Sequence, residues 1–145
     1  LWKARHDVYW AARSLRPGCE SIATDACVPI GSLAECILAA RADADAAGLL
    51  APIVGHVGDG NFHALILFDP ADPDEQARAE ALGKGIARRA IACGGTATGE
   101  HGIGMRKLGL LQEQHGDALP VMRAIKQALD LNGIMNPGKT VPPSA

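Results

Sequence analysis

Two histidines, His56 and His63, flank an Asp59-Gly60 pair in the segment GHVGDGNFH. Asp-Gly between two apolar runs is a strong signal for a two-residue hairpin loop. With Asp59 and Gly60 as that loop, Gly58 pairs with Asn61, Val57 with Phe62 and His56 with His63. The two imidazoles then leave one face of the sheet with Cβ atoms about 5 Å apart, and Val57 and Phe62 leave the other. Such a pair suits one divalent cation, each ring offering a nitrogen at about 2.0–2.1 Å. The alternative is a polar cross-strand pair on a solvated face. Register carries the argument, because a slip of one residue turns one histidine away.

A second segment, TGEHGIG at 98–104, sets Glu100 and His101 among glycines, which let the backbone approach a ligand closely. Two histidines and one carboxylate are a common way to hold a catalytic metal with open positions. Glu100 is therefore the expected third ligand and His101 a general base beside it. Read by itself the segment is a weak signal, and the alternative is a glycine-rich connection whose Glu and His face water. His6 and His115 lie on helical segments and read as structural.

These residues need a scaffold. Leu1, Ala4, Val8, Ala11, Ala12 and Leu15 recur at helical spacing up to Pro17-Gly18. Ser21–Pro29 predicts a strand. Ser32 and Glu35 form a capping-box pattern ahead of an apolar face of Leu33, Cys36, Ile37, Ala40, Ala44 and Ala47, with Gly48 as the stop. Pro52–Phe68 predicts two strands around Asp59-Gly60. Asp72-Pro73-Asp74-Glu75 opens a further helix that Gly94-Gly95 closes, and Gly83 and Gly85 inside it suggest close packing. Two helices follow, over 106–115 and 118–131, the second capped by Asp117 and stopped by Asn132-Gly133. The tail beyond is too rich in Pro and Gly for regular structure. The order predicts an α+β fold: a ferredoxin-like, mostly antiparallel sheet with helices on one face, plus a helical C-terminal end.

The 145 residues are one domain's worth, and 48% hydrophobic residues build a core without disulfides. Only 3% are aromatic, so aliphatic side chains and alanine must fill it. A net charge of −2 with no basic stripe argues against nucleic acid as a partner. No apolar run reaches the roughly 20 residues of a bilayer span, and no leader pattern opens the chain. Cys19, Cys27, Cys36 and Cys93 have no disulfide or metal spacing and read as free thiols of a reducing compartment. The chain opens at Leu1 inside an amphipathic pattern, which suggests a piece of a longer polypeptide.

GHVGDGNFH at 55–63, TGEHGIGMRK at 98–107 and LNGIMNPGKT at 131–140 together resemble the C-terminal, substrate-binding part of FAD-linked oxidases of the vanillyl-alcohol-oxidase type. LWKARHD at the start and ATDACVPI at 23–30 resemble the same family, nearest its branch that oxidises D-lactate or glycolate. The resemblance covers almost the whole chain. It implies His56, His63 and Glu100 as metal ligands, His101 as the active-site histidine, Arg5 as the grip on a substrate carboxylate and Asn136 as a flavin contact. Leu65 stands where larger-substrate members carry a polar residue, which implies a small monocarboxylate. The implied reaction takes a D-2-hydroxy acid to a 2-oxo acid, with FAD held mainly by a domain this segment lacks. The implied metal is zinc, with manganese and iron also suited. Electrons would pass to a cytochrome, a quinone or an electron-transfer flavoprotein, in the cytoplasm or at the periphery of the inner membrane, with homo-oligomers allowed. The segment by itself is expected to be inactive. The rival readings are a stand-alone metal-dependent hydrolase and an inert α+β binding module.

Overall fold

NFHALILF, set off by Gly60 before it and Pro70 after it, becomes the central strand of the protein in a computed structural model. The structure describes residues 2–139 and 141, the side chains of residues 2–5 excepted. The chain divides into two units, Leu1–Gly99 and Glu100–Ala145.

The first unit runs α1 (Trp2–Ser14), β1 (Glu20–Ala23), β2 (Ala26–Cys27), α2 (Leu33–Ala46), β3 (Ile53–His56), β4 (Asn61–Phe68) and α3 (Pro73–Ala92). All strand pairs are antiparallel. β1 and β2 pair with the two ends of β4 in one continuous register, Glu20 opposite Phe68 through Cys27 opposite Asn61. β3 takes the other edge of β4, prolonged by a bridge between Leu50 and Leu67. A bridge from Thr96 to Cys27 adds a fourth position outside β2, so the α+β class and its antiparallel sheet stand.

Alternation along β4 sorts its side chains. Phe62, Ala64, Ile66 and Phe68 are buried in one core with Leu33 and Cys36 of α2 and Leu82 and Ile86 of α3. Asn61, His63, Leu65 and Leu67 share the opposite face, and α1 also touches β4. The predicted stops hold for local reasons. Gly48 and Gly94 take left-handed φ of 66° and 77°. Paired bonds behind them, Leu49 N–H to Ala44 O and Gly95 N–H to Ala90 O, complete the Schellman pattern. Asp72 caps α3 by accepting from the N–H groups of Asp74 and Glu75. Cys36 and Cys93, both free, bring their sulfurs to 3.6 Å, and burial followed by the Cys93 contact pushes the Cys36 thiol up to about 11.

Three expectations change. Ser32 makes no capping bond, because the chain enters α2 through a 3-10 turn, Ile30–Ser32, that already gives Ser32 helical angles. A cap needs extended ones. The strand expected over 21–29 is broken at Thr24-Asp25 into β1 and β2. Close packing is absent at Gly85, where an added Cβ meets nothing within 4 Å, and at Gly83 it would make only ordinary 3.7 Å contacts with Ile22 and Ile66.

The second unit holds α4 (Leu108–His115), a 3-10 turn at Gly116–Ala118 and α5 (Leu119–Leu129). Asp117 lies inside that turn and caps nothing, so the expected capping role passes to no side chain. Asp130 fastens the end of α5 instead. Its carboxylate accepts from the N–H groups of Ile134 and Met135 and from Lys126, which hold it below the usual carboxylate range, the Lys126 bond contributing most. Beyond it the described tail has no helix or strand, with Gly133 and Asn136 in left-handed conformations. Among the described residues no helix is long and apolar enough to cross a membrane.

Candidate functional site

The β3–β4 hairpin turns over four residues, not two. Val57–Asp59 form a 3-10 turn and Gly60 closes it at φ 76°, ψ 8°. The Gly60 carbonyl accepts from Val28 N–H at 2.9 Å, and a Cβ at position 60 would stand 2.1 Å from Val28 O. This anchor from β2's end outweighs the local Asp-Gly preference, so His56 pairs with Asn61, and His63 with Val54. The expected direct opposition of His56 and His63 is thus corrected by two positions. A shift of two keeps both residues on their original face. The histidines are diagonal neighbours with ring centroids 6.3 Å apart and planes at 84°. Val57, expected on the core-facing side, lies exposed in the turn.

The break in the neighbouring strand has a purpose in this geometry. Thr24 N–H donates to Ala64 O at 3.0 Å as a ladder residue should. The return bond from Ala64 N–H, however, goes to the Thr24 hydroxyl at 2.8 Å. The Thr24 carbonyl, released from the ladder, accepts from His63 Nδ1 at 2.8 Å. A carbonyl only accepts, so Nδ1 carries a proton in this bond.

The sequence expectations passed over Thr24 and Asp25. Because β1 and β2 share one register on β4, Asp25 falls opposite His63. It is 4% exposed. One carboxylate oxygen accepts from the Thr98 hydroxyl at 3.0 Å, and the other lies 3.9 Å from His63 Nδ1. Its main-chain oxygen accepts from Gly99 N–H at 3.0 Å. Asn61, on the His63 face, packs its amide against Gly99, where a Cβ would come within 2.8 Å of it, and its Oδ1 is buried without a hydrogen-bond partner. Pairing the Ser21–Pro29 run with β4 is the signal that would have placed Asp25 beside His63. Two imidazoles and an unsatisfied amide oxygen on one face are donor types that a divalent cation accepts.

In the second unit, His101 Nε2 lies 3.3 Å from Glu100 Oε1, both side chains exposed. A carboxylate accepts, so Nε2 donates in this contact. Asn136 is exposed at φ 47°. Arg5 lies in α1, and its side chain is outside the described residues. Leu65 is buried on the His63 face of β4.

Residues 1–140 match the family model for the C-terminal domain of FAD linked oxidases. The chain belongs to that family. This FAD-linked oxidase C-terminal domain is 51% identical over 142 residues to a probable D-lactate dehydrogenase, mitochondrial, of Danio rerio, covering 97% of the chain and 29% of the relative. It is 44% identical over 144 residues to D-lactate dehydrogenase [cytochrome], mitochondrial, of Arabidopsis thaliana, covering 99% and 25%. The domain therefore spans under a third of the curated relatives it matches. Its fold is that of part of 4-ethylphenol oxidase from Gulosibacter chungangensis, solved with isoeugenol, at a TM-score of 0.66, 21% identity, and 97% and 30% coverage.

Proposed function

We propose that this domain is the substrate- and metal-binding part of a longer flavin-dependent dehydrogenase that oxidises a small D-2-hydroxy acid, D-lactate or glycolate, to the 2-oxo acid. The observation that carries the reading is the His56–His63 face, with the ring centroids 6.3 Å apart and His63 Nδ1 tied to the Thr24 carbonyl. His56, His63 and Glu100 would hold the cation, zinc first, with manganese or iron as substitutes. When bound, the cation would supply polarisation of the substrate hydroxyl and carboxylate, and a flavin held by the remaining domain would supply the hydride acceptor.

The chain's own residues supply the rest. His101 Nδ1 takes the hydroxyl proton, with Glu100 holding the other ring nitrogen in place. Arg5 would grip the free carboxylate oxygen as a fork, and Asn136 would contact the flavin. Leu65 presents no polar atom to a second carboxylate, which favours monocarboxylates over dicarboxylates. Electrons leave to a cytochrome, quinone or electron-transfer flavoprotein, at or beside an inner membrane that carries the acceptor.

The test is cation content and turnover of the longer, flavin-containing enzyme that includes this domain, with D-lactate and glycolate and an artificial electron acceptor. His56→Ala and His63→Ala are each expected to remove stoichiometric cation and to abolish turnover. His101→Gln is expected to keep the cation and lose turnover. A wild-type protein that oxidises D-lactate at full rate after complete cation removal would sink the metal assignment.

A further inference from the structure

We propose that Asp25 is a positioning residue for this centre, a buried carboxylate that fixes the tautomer and orientation of His63. The inference rests on the metal reading above and adds a residue to it. Asp25 stands opposite His63 across the β2–β4 side of the sheet, 3.9 Å from Nδ1. That is too long for a hydrogen bond but close for a charge, and both side chains are largely shielded from water, at 2% and 12% exposure. Screening is weak in such a place. Were the proton on Nε2, the Nδ1 lone pair would face the Thr24 carbonyl and the Asp25 carboxylate together. Both repel it, so the ring keeps its Nδ1–H toward the Thr24 carbonyl. When a cation draws charge from the ring, the same carboxylate faces the positive end.

The carboxylate is itself held. Thr98 donates its hydroxyl to the oxygen remote from His63, and Gly99 N–H binds the Asp25 main chain. Asp25 therefore ties the His63 strand to the loop residues that lead directly into Glu100. A second-layer partner of a ligating histidine typically changes metal affinity by about 10–100-fold.

The experiment is manganese and zinc titration of the purified wild type, Asp25→Asn and Thr98→Val by calorimetry. Thermal unfolding of the metal-free forms and ring-nitrogen NMR shifts of His63 are recorded alongside. Asn keeps the size and an acceptor for Thr98 but loses the charge. The proposal expects roughly 10–100-fold weaker binding in Asp25→Asn, a smaller loss in Thr98→Val, and a His63 signal that no longer reports a single Nδ1–H tautomer. Unchanged affinity and tautomer in Asp25→Asn, with only a lower unfolding temperature, would make Asp25 merely structural and overturn the proposal. A wild type that binds neither cation overturns the metal reading and this inference with it. If Asp25→Asn does not fold, Thr98→Val decides by the same two readouts.

Discussion

At the scale of single residues, the site depends on a side chain replacing a backbone group. The Thr24 hydroxyl takes the hydrogen bond that its carbonyl would otherwise receive from Ala64, and the carbonyl thereby becomes available to His63. Thr24→Val keeps the shape and removes this substitute acceptor. It should cost about 1–3 kcal/mol in chemical denaturation, the usual penalty for a buried N–H left unpaired. It should also weaken cation binding as His63 and Ala64 compete for one carbonyl, whereas Thr24→Ser should restore both. Gly99→Ala is expected to act differently. Its Cβ would collide with the Asn61 amide at 2.8 Å, so the loop must shift ahead of Glu100, and cation affinity should fall more than stability does.

At the scale of elements, α3 offers two tests. Glu75 near its start receives a two-point bond from Arg16, at 2.5 and 2.9 Å, and an N–H from Asp69. Arg16 first, then Asp69, lower its carboxyl to about 2 from an ordinary 4.5. A lowered folded-state value means the contribution is complete above the unfolded value and is lost as pH falls through the folded one. The unfolding temperature should therefore drop between about pH 4.5 and pH 2, and Glu75→Gln should flatten that part of the profile. Gly85→Ala, with open space around its Cβ, should stabilise the protein by up to about 1 kcal/mol. Helices and their ends were legible in the sequence because their signals are local: Asp72 as a cap, Gly48 and Gly94 as left-handed stops. The hairpin register and the Thr24-Asp25 break were not, because each is decided by a strand far along the chain. Val28 sets the turn and Ala64 sets the break. The shared face of the two histidines survived the wrong register; Asp25 was missed with it.

At the scale of the whole molecule, the second unit carries more apolar surface than its size would suggest. Val121, Ile125 and Leu129 recur at a stride of four along α5, and Leu131, Ile134 and Met135 follow, all exposed. Contiguous apolar surface of this kind favours self-association or dye binding. The double change Ile125→Ser and Leu129→Ser should lower the fluorescence of a bound hydrophobic dye while leaving helix content by circular dichroism within error, since exposed positions contribute little to folding. An unchanged dye signal would mean that other surface dominates.

The two-position register shift has a consequence for how such hairpins evolve and are engineered. Six residues lie between His56 and His63, an even number, and a symmetric hairpin spends its intervening residues in cross-strand pairs plus the loop. Any loop of even length leaves both histidines on one side, and a loop of three or five would divide them. The spacing is thus a parity code. It specifies which side the histidines occupy while leaving the turn type free to change by pairs of residues.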